Sequence, residues 1–477
     1  MSTDTESLVA LFERQGARRW QVASTNARQR IEKLSKLRAA ILERQEELYV
    51  ATWEDFRKSR FETWLTEIFP SMEEIDFTVR HLARWMRDKR VPGAFVLPLA
   101  AGRLRYEPKG RVLIMAPWNY PFHLLVAPLV SAIAAGNCVI AKPSNKTPRT
   151  SAFIASLLGA LFPPEEVAVV EGAGAALGER LLELPFDHIF FTGSPRVGAH
   201  VGEAAARVHA GLTLELGGKS PTILLPGADV EAAAGKIMWG KCMNAGQTCI
   251  APDYLLCPGG DVDAFARAAR KVVDGFYGGT QDKWRESGDL PRIVDRAACA
   301  RLQASVKDAV DRGAAVAFGG CFDAESRYAS PTVLTGVRPE MQIMQEEIFG
   351  PILPVVSYQS VEEALDFIRS RPKPLALYVF GKDRRATRQA VSGTTSGSVC
   401  INDLIVQIEH PHLPFGGVGM SGTGSYHGFF GFRTFSHERN VVAQGPFSIA
   451  KAFYPPYGRK GQERFAGVIK RLRGISG

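Results

Sequence analysis

The chain has 477 residues, of which 45% are apolar and 22% are charged, and its formal net charge is +9. This length and composition exclude a disordered or collagen-like chain and predict a soluble globular protein with two or more domains. The basic excess would attract anionic cofactors. The sequence lacks zinc-ligand spacing and an RNA-binding signature, so we expect neither a metal site nor a nucleic-acid partner.

The cysteine pattern and the N-terminus bear on the cellular compartment. The seven cysteines are scattered and odd in number, which does not favour a disulfide framework. Residues 1–14 contain acidic side chains and no long apolar core, unlike a secretory signal. The longest apolar stretch, residues 124–140, is interrupted by proline, glycine and polar residues and is too broken to span a membrane. The sequence therefore predicts a reduced, cytoplasmic protein.

The first predicted elements are helices. Between residues 6 and 89, apolar side chains recur at helical spacing among lysine, arginine and glutamate. Pro70 and Ser71 mark a break, after which a new helix is predicted to begin.

Near Val91 the pattern changes to short apolar runs that alternate with turns and helical stretches. Strands are predicted at residues 111–115, 138–141, 167–170 and 188–191, with helices at 124–135 and 151–161. Strands and helices that alternate in this way are typical of βαβ units on a parallel sheet, so we predict the α/β class. After Gly218 a second α/β unit is predicted from apolar segments at residues 224, 237–239, 254–257, 316–318, 353–356 and 376–380.

Two segments carry residues suited to covalent catalysis. Cys249 ends the run Asn-Ala-Gly-Gln-Thr-Cys at residues 244–249, and Glu215 begins a Glu-Leu-Gly-Gly segment upstream. A thiolate is a strong nucleophile, but a free cysteine has a pKa of ~8.5 and needs a base or a positive field to ionise it. A nucleophilic thiol with a nearby carboxylate base is therefore the first chemical hypothesis.

Several turns after predicted strands could bind a cofactor or an oxyanion. Gly193, Ser194 and Gly198 lie in a turn that opens a helix, where free N–H groups attract an anion such as a pyrophosphate. This turn lacks the three-glycine dinucleotide fingerprint, so a purely structural βα turn is an equal alternative. Asn119 could donate its amide hydrogens to an oxyanion, or its Pro-Trp-Asn-Tyr-Pro segment could be a rigid aromatic turn.

Other candidate residues are weaker when taken singly. Lys142 and Ser144 follow a predicted strand, where ligands gather in open α/β sheets, although a solvated lysine is the more common case. Glu347 could hold a ribose while Phe349 lies beside a nicotinamide, or the acidic pair could simply be solvated. Phe415 lies in a Pro-Phe-Gly-Gly turn, which alone favours a structural role.

The order of these segments is more informative than any one of them. Pro-Trp-Asn-Tyr-Pro, Lys-Pro-Ser, Phe-Thr-Gly-Ser, Glu-Leu-Gly-Gly-Lys-Ser-Pro, Gly-Gln-Thr-Cys, Glu-Glu-Ile-Phe-Gly-Pro and Pro-Phe-Gly-Gly follow one another along the chain. From about residue 106 to 456 the sequence resembles the aldehyde dehydrogenase superfamily. It is most similar to the class 3 branch, which includes fatty-aldehyde and coniferyl-aldehyde dehydrogenases.

The resemblance implies a Rossmann-type cofactor domain, a second α/β catalytic domain and a small bridging element for oligomerisation. We assign the cofactor domain with its N-terminal helices to residues 1–90 and 109–216, and the catalytic domain to 217–400. Residues 91–108 and 401–456 would form the bridging element, followed by a basic tail at 457–477. Class 3 members are commonly dimers, so we expect a homodimer.

The resemblance also implies roles for single residues. Cys249 would be the nucleophile that forms a thiohemiacetal and then a thioester, and Glu215 the base for hydrolysis and for thiol activation. Asn119 and the Cys249 backbone N–H would hold the oxyanion, each such donor contributing about 3 kcal/mol. The cofactor, NAD or NADP, would contact Trp118, Lys142, Ser144, Gly193, Ser194, Gly198, Glu347 and Phe349.

The sequence departs from the family pattern at Asn145, where relatives commonly carry a glutamate that binds the adenosine ribose. The missing carboxylate removes repulsion toward a 2′-phosphate, which Arg196 or Lys142 could favour. We therefore expect NADP to be tolerated and even preferred.

The substrate-pocket residues implied by the resemblance are Tyr120, Trp239, Met243 and Phe415. Apolar and aromatic walls suit an aromatic or a medium- to long-chain aliphatic aldehyde, although each residue could equally be core. The basic tail is too short and too charged to span a membrane. A plain solvated helix is favoured there over weak adhesion to anionic lipid.

Three alternatives stay open from the sequence. In a CoA-acylating dehydrogenase, CoA would take the acyl group and Glu215 would be unnecessary. A non-catalytic binding or structural protein on this fold would not need Cys249, Glu215 and Asn119 together. A thiol hydrolase would need a histidine partner, and none of the nine histidines lies near Cys249 in sequence.

Overall fold

The computed structural model describes residues 5–93, 100–172, 175–445, 453–472 and 474. The α-helices in this part of the chain are α1 (Thr5–Ala23), α2 (Ala27–Glu43), α3 (Gln45–Phe56), α4 (Arg60–Thr63), α5 (Phe69–Trp85), α6 (His123–Ala135), α7 (Pro148–Leu161), α8 (Ala175–Leu182), α9 (Pro195–Arg207), α10 (Val230–Cys242), α11 (Val262–Tyr277), α12 (Gln281–Glu286), α13 (Arg296–Asp311), α14 (Val361–Arg369), α15 (Arg384–Ser392), α16 (Gly428–Thr434) and α17 (Lys460–Leu472).

The strands of the same part are β1 (Lys89–Val91), β2 (Ala100–Pro108), β3 (Arg111–Met115), β4 (Cys138–Lys142), β5 (Val167–Val169), β6 (His188–Gly193), β7 (Gly211–Leu216), β8 (Pro221–Leu224), β9 (Tyr254–Pro258), β10 (Ala315–Phe318), β11 (Phe322–Asp323), β12 (Tyr328–Ala329), β13 (Thr332–Thr335), β14 (Ile352–Tyr358), β15 (Ala376–Phe380), β16 (Ser398–Ile401), β17 (Gly422–Thr423) and β18 (Ser436–Gln444).

The first large sheet has six strands in the order β17-β7-β6-β3-β4-β5. The strands from β3 to β7 are parallel, and only β17 joins antiparallel. Every residue of α6 is buried, because its apolar sequence lies between this sheet and the N-terminal helices. The chain leaves β3 toward β4 on one side and returns to β6 on the other, so the strand order reverses between β3 and β6. Ligands bind at such a switch point, outside the carboxyl ends of the strands.

The second large sheet has seven strands in the order β10-β13-β14-β9-β8-β15-β16. Its strands are parallel except for the antiparallel pair β10 and β13. Both large sheets and their helices match the predicted α/β class, which is confirmed. The segment at residues 237–239 proves to be helical and belongs to α10.

A third sheet, formed by β1, β2 and β18, stands apart from the two large ones. The antiparallel pair of β2 and β18 runs from Ser436 opposite Pro108 to Gln444 opposite Ala100. Most residues of β18 are exposed. The predicted bridging segments 91–108 and 401–456 contain β2 and β18, whereas β1 begins at Lys89, inside the segment assigned to the cofactor domain. Residues 94–99 and 446–452 lie outside the described part of the chain.

The N-terminal helices differ from the predicted pattern in two details. The predicted break at Pro70 is a π-helical turn, Trp64–Ile68, that leads directly into α5. Pro70 is the second residue of α5, at the point where the π-helical turn passes into the α-helix. The helical region ends at Trp85, and β1 begins at Lys89. In the described residues, none of the helices combines the length and the apolar character that crossing a membrane requires.

Candidate active site

The structure brings Asn119, Glu215 and Cys249 together, although they lie far apart in the sequence. Asn119 follows the carboxyl end of β3, Glu215 lies near the end of β7, and Cys249 follows the short 3₁₀ turn after α10. Two cavities, of about 180 and 170 Å³, lie at this place and differ in most of their other lining residues. Both are lined by Glu215 and Cys249. A thiol and a carboxyl group therefore stand where two ligand chambers meet.

The backbone before Cys249 is held in an unusual conformation. Asn244, Ala245 and Gly246 have φ values of 50°, 51° and 72°, in the left-handed region that non-glycine residues rarely occupy. A Cβ on Gly246 would lie 2.3 Å from the carbonyl oxygen of Gly350. Only glycine fits there, and the close approach ties the Cys249 turn to the loop that contains Glu347.

The side chain of Gln247 fixes this turn from within. Its Nε2 donates to the carbonyls of Asn244 at 3.0 Å and Arg292 at 3.1 Å, and its Oε1 accepts from the Val294 N–H at 2.8 Å. Gln247 is fully buried. The glutamine of Gly-Gln-Thr-Cys thus acts as a structural clamp, and clamps of this kind keep a reacting group in place.

Asn119 is positioned to offer one amide hydrogen to a ligand. Its Nδ2 donates to the Gln247 carbonyl at 3.1 Å, and its own carbonyl accepts from Asn244 Nδ2 at 2.8 Å. A side-chain amide has two hydrogens, so one is left for the cavity that Asn119 lines. This arrangement is compatible with an oxyanion donor.

A buried ion pair lies directly beneath the Asn119 turn. Lys58 Nζ donates to Glu67 Oε1 at 2.9 Å, and both side chains are completely shielded from solvent. The other carboxylate oxygen of Glu67 accepts the N–H groups of Phe122 at 3.1 Å and His123 at 2.9 Å. Lys58 also lies over the Tyr120 ring at 4.6 Å. The pair therefore anchors the start of α6 and the turn before it.

The Cys249 thiol is poorly ionised in this environment. Burial raises its pKa to about 12, and the negative charges of Glu347 and Glu215 act in the same direction. A thiol with this pKa is almost entirely protonated at neutral pH. Nucleophilic attack by Cys249 therefore requires a proton acceptor or a nearby positive charge.

Glu215 is a candidate for that proton acceptor, because it lines both cavities together with Cys249. β7 places it opposite Thr192 on one side and Gly422 on the other. The side chain is buried, and neither carboxylate oxygen has a hydrogen-bond partner among the described residues. Burial alone raises the pKa of Glu215 well above its ordinary value. An uncompensated buried carboxyl group is typical of a functional group rather than of a stabilising one.

The cavity of about 170 Å³ contains many of the predicted cofactor residues. Its lining includes Asn119 together with Trp118, Gly193, Ser194, Glu347 and Phe349. Ser194 caps α9, accepting the Val197 N–H at 3.5 Å, so the positive end of the helix lies at the edge of this cavity. Glycines and a helix N-terminus beside this cavity are compatible with the nicotinamide half of a dinucleotide.

The other predicted cofactor residues lie outside this lining. Gly198 lies on α9, where a Cβ would come within 2.7 Å of Leu216, so glycine lets the helix approach β7 closely. Lys142 ends β4 and is half-buried, and burial lowers its pKa. Ser144 follows on the same loop, which continues to exposed Asn145. Arg196, also exposed, lies in the first turn of α9.

Glu347 is held against the glycines of the Glu-Leu-Gly-Gly segment. A Cβ on Gly217 would lie 2.0 Å from Glu347 Oε2, so the carboxylate occupies the space that a side chain would fill. Burial raises the pKa of Glu347 to about 8. Phe349, with φ of 52°, contacts the Trp118 ring edge-on with 5.2 Å between centroids.

The chamber of about 180 Å³ is lined mostly by apolar side chains. All four predicted pocket residues line it, namely Tyr120, Trp239, Met243 and Phe415. The Tyr120 hydroxyl shares a short hydrogen bond with the Thr248 hydroxyl, next to Cys249. Trp239 is 37% exposed and lies at the outer edge. Further walls come from Leu65, Phe69, Leu124, Ile405 and Tyr426, none of which the motifs identified.

Sequence reasoning also missed a clamp behind the Glu347 loop. Lys219 Nζ donates at 2.8 Å to Asp253 Oδ1 and to the carbonyls of Ile343 and Glu346. Asp253 in turn accepts the Ile348 N–H at 3.1 Å. Lys219 stands in the Glu-Leu-Gly-Gly-Lys-Ser-Pro motif quoted above, and Asp253 follows Cys249 in the segment Ala-Pro-Asp-Tyr. The available signal was that one segment contains a positively charged residue and the other a negatively charged one, which could have been predicted to pair.

Comparison with known proteins gives a consistent result. The model of the "Aldehyde dehydrogenase family" matches residues 4–441. The "Probable coniferyl aldehyde dehydrogenase" of Pseudomonas aeruginosa is 40% identical over 463 residues, covering 96% of each chain. The mouse "Aldehyde dehydrogenase family 3 member A2" is 42% identical and covers 90% of this chain and 87% of its own length. The structure of "Substrate bound state of Staphylococcus Aureus AldH" superposes with a TM-score of 0.92 at 38% identity, covering 97% of this chain and 99% of that one.

Proposed function

Since the chain belongs to the aldehyde dehydrogenase family and is most similar to its class 3 branch, we propose that it oxidises an apolar aldehyde to the carboxylic acid with NAD or NADP. The arrangement of Cys249, Glu215 and Asn119 at the junction of two chambers carries this proposal. One chamber would hold the aldehyde and the other the nicotinamide.

The first step is addition of the thiol to the aldehyde. Glu215 accepts the proton of Cys249, and the sulfur forms a bond to the carbonyl carbon. The carbonyl oxygen becomes an oxyanion, which accepts hydrogen bonds from Asn119 Nδ2 and from the Cys249 backbone N–H. A dinucleotide held by the residues of the other chamber would supply the hydride acceptor, and loss of hydride from the substrate carbon would leave an acyl group on the Cys249 sulfur as a thioester.

The second step releases the acid. Glu215, after its proton has passed to solvent, removes a proton from a water molecule. The water oxygen adds to the thioester carbon, the carbon–sulfur bond breaks, and the carboxylic acid leaves while Cys249 regains its proton. The high pKa of Glu215 supports this role, because a carboxylate with a raised pKa is a stronger base near neutral pH.

The lining of the larger chamber supports an apolar substrate. Aromatic and aliphatic side chains surround Cys249 on this side, and an aromatic or a medium- to long-chain aliphatic aldehyde would fill the space. The relative from Pseudomonas aeruginosa is named for an aromatic aldehyde, which supports the aromatic branch of this proposal.

We expect NADP to be used at least as well as NAD. Asn145 is exposed beside Ser144 and brings no negative charge toward a 2′-phosphate, and Arg196 is exposed on α9. The ratio of kcat/KM for the two cofactors measures this directly. Asn145→Glu should lower kcat/KM for NADP about tenfold, through charge repulsion, with little change for NAD. A strong NAD preference in the unaltered enzyme would refute the expectation.

Two alternative reactions make different demands on the site. A CoA-acylating enzyme would not need a water-activating base, whereas Glu215 is buried beside Cys249 without another partner; assays with and without CoA separate the two. A thiol hydrolase needs a histidine at the thiol. Among the described residues, His123 is the histidine that lines the chamber of Cys249, and its Nδ1 is hydrogen-bonded to Ser71.

Trapping the acyl group on Cys249 tests the proposal. After rapid quenching during turnover, mass spectrometry should find the substrate's acyl mass on the peptide that contains Cys249. Cys249→Ser should abolish this adduct and lower kcat at least a thousandfold, because the nucleophile is lost. Cys321→Ser, at an exposed cysteine, is the matched control. Aldehyde oxidation at the parental rate in Cys249→Ser would overturn the mechanism.

A further inference from the structure

The substrate chamber continues into a small polar side cavity away from Cys249. This side cavity, of about 30 Å³, is lined by Pro70, Glu73, Glu74, His123, Ile408, Glu409, Pro411 and His427. Four of these residues, Pro70, His123, Ile408 and Glu409, also line the substrate chamber. The far end of an otherwise apolar chamber therefore meets two histidines and several carboxylates.

The hydrogen bonds of His123 determine which of its nitrogens carries the proton. The Ser71 hydroxyl donates to the Glu67 carbonyl at 2.6 Å, so its single hydrogen is already used. The contact of 3.1 Å between Ser71 Oγ and His123 Nδ1 must then have the histidine as donor. Burial lowers the pKa of His123 to about 3, so the ring is neutral. His123 Nε2 is consequently an acceptor without a proton.

His427 also presents a ring nitrogen toward this end of the chamber. Its Nδ1 lies 3.1 Å from Glu74 Oε2, and the carboxylate also accepts the Gly428 N–H at 2.9 Å. A carboxylate only accepts, so Nδ1 donates and Nε2 is the ring nitrogen left for a ligand. His427 is buried, and Nε2 has no hydrogen-bond partner in the described part of the protein. A buried polar atom left unpaired costs free energy unless a ligand or water supplies a partner.

The two rings form one surface. Their planes are nearly parallel, at 11°, with 6.1 Å between the centroids. The ring of Phe415, which lines the substrate chamber, lies 5.9 Å from that of His427. The carboxylates of Glu73 and Glu409 at the outer side are exposed and likewise only accept hydrogen bonds. This end of the chamber thus offers His123 Nε2 as an acceptor and the unpaired His427 Nε2 as a second polar contact, and a hydroxyl group, which both donates and accepts, can meet the two.

We propose that His123 and His427 bind a hydroxyl group at the distal end of the aldehyde, which makes hydroxyl-bearing apolar aldehydes, phenolic or ω-hydroxylated, the preferred substrate class. The inference rests on the proposed aldehyde oxidation. A hydroxyl group fits better than an ammonium group, because a cation would have to leave water for a chamber lined mainly by apolar side chains. The apolar body would contact the aromatic walls while the aldehyde reaches Cys249.

The test uses matched pairs of aldehydes that differ only in a terminal hydroxyl. A 4-hydroxyaryl aldehyde is compared with its parent, and ω-hydroxyalkanals with alkanals over a range of chain lengths, at about pH 7, where free imidazole is mostly neutral and the phenolic hydroxyl still keeps most of its protons. For at least one length or ring system, kcat/KM should be about tenfold higher with the hydroxyl, the effect of one hydrogen bond to a buried acceptor. An ω-aminoalkanal of the same length should be a poor substrate.

Variants of the histidines test whether the preference for the hydroxyl group depends on His427. His427→Phe should bring the ratio close to one while the parent aldehydes keep their rates, and His427→Gln, which retains an acceptor oxygen, should keep part of the preference. His410→Phe, at an exposed histidine outside both linings, should leave the ratio unchanged. The parent aldehydes report whether each variant is folded.

The outcomes distinguish two failures. If the unaltered enzyme oxidises none of the aldehydes with NAD or NADP, the proposed function fails. If it oxidises both members of every pair equally, prefers the amino compound, or keeps its preference in His427→Phe, the aldehyde oxidation stands and the assignment of the two histidines is overturned.

Discussion

At the scale of single residues, the proposed chemistry depends on groups whose ionisation is opposed by their surroundings. Glu215 is buried and Cys249 is half-buried, and burial raises the pKa of each. In the described structure no positive charge lowers either pKa, which is the environment expected of groups kept for reactivity. Turnover and the reactivity of the thiol should therefore respond to pH and to the removal of a nearby charge.

Replacing Glu215 by glutamine removes the base and keeps the shape. Because general-base catalysis contributes about 10²–10⁴-fold, steady-state turnover of Glu215→Gln should fall about a thousandfold. The first turnover should slow as well, since the same carboxylate takes the Cys249 proton. Stopped-flow absorbance of the reduced cofactor measures both phases. Glu231→Gln, at an exposed glutamate on α10, should behave like the parent, and unchanged turnover in Glu215→Gln would exclude the role.

The charge of Glu347 should control the reactivity of the free thiol. Its pKa of about 8 means that the carboxylate becomes charged only in alkaline solution, where it opposes ionisation of Cys249. Glu347→Gln removes this opposition, so alkylation of Cys249 in cofactor-free enzyme should become about tenfold faster above about pH 8 and change little below it. The measurement is the rate of iodoacetamide labelling against pH. Exposed Glu346→Gln is the control, and equal rates for both variants would contradict the prediction.

The site residues differ in how far the sequence predicts them. Cys249, Glu215 and Asn119 stand in ordered motifs whose residue types suit the chemistry, and the structure does bring them to one place. His123 and Tyr426 have no such signal, because they enter the chamber only through the packing of α5, α6 and the segment before α16. Their roles depend on contacts between distant segments, which a single sequence does not display.

At the scale of elements, the turn that carries Asn119 depends on the Lys58–Glu67 pair. Removing one partner of a buried pair leaves an unpaired charge and costs about 3–5 kcal/mol, so Lys58→Met should lower the free energy of unfolding by this amount and reduce kcat. Lys58→Met with Glu67→Gln should recover part of the stability, because the glutamine oxygen can still accept a backbone N–H. Urea unfolding measures the change.

The control for this pair is an exposed one. Lys36 and Glu32 are paired on α2 with more than half of each side chain exposed, and such pairs contribute little. Lys36→Met should therefore unfold at the urea concentration of the parent. If Lys58→Met were equally harmless, the buried pair would not anchor the turn.

Gly217 determines where the carboxylate of Glu347 lies. In Gly217→Ala the new methyl group would collide with Glu347 Oε2, and the flexible side chain would move away from its place beside the cofactor chamber. We expect a KM for the cofactor about tenfold higher, equivalent to one lost hydrogen bond, with little loss of stability. Gly235→Ala on α10, which meets no atom within 4 Å, is the control, and an unchanged KM would argue against ribose binding by Glu347.

The strands and helices of both large sheets follow their sequence patterns closely, because apolar runs of β-branched residues and amphipathic spacing are local properties. The π-helical turn before α5 and the left-handed turn before Cys249 cannot be predicted from such patterns. Both are local departures from regular backbone that tertiary contacts hold in place, as the approach of Gly246 to Gly350 shows. Sequence periodicity carries no information about such contacts.

At the scale of the whole molecule, the third sheet carries our prediction of a homodimer. β18 pairs with β2 along one edge, and among the described strands none covers its other edge. Exposed edges of this length are usually paired or protected, and Val442 on β18 is 58% exposed. A second copy of the chain would cover this edge, as expected for a class 3 dimer.

Sedimentation measures this assembly. The unaltered chain of 52.1 kDa should sediment as a dimer, and Val442→Asp should shift it toward the monomer, because a charge would be buried at the shared edge. Val310→Asp, at a partly exposed valine on α13, should stay dimeric. A monomeric parent, or a variant that remains fully dimeric, would count against the sheet as the interface.

The division into four segments stays a prediction, as does the behaviour of the tail. α17 presents basic residues and exposed Val468, while residues 473 and 475–477 lie outside the described part of the chain. Binding to vesicles of anionic lipid would distinguish surface adhesion from a plain solvated helix.

The meeting of two chambers at the Cys249 sulfur has a consequence for the order in which reactants bind and products leave. The dinucleotide and the aldehyde would each occupy their own chamber, so neither would block the release of the other. The carboxylic acid would then be free to leave before or after the reduced dinucleotide. An inhibitor that occupies one chamber should therefore compete only with the reactant that binds in that chamber. An inhibitor that extends across the Cys249 sulfur into both chambers should compete with both reactants.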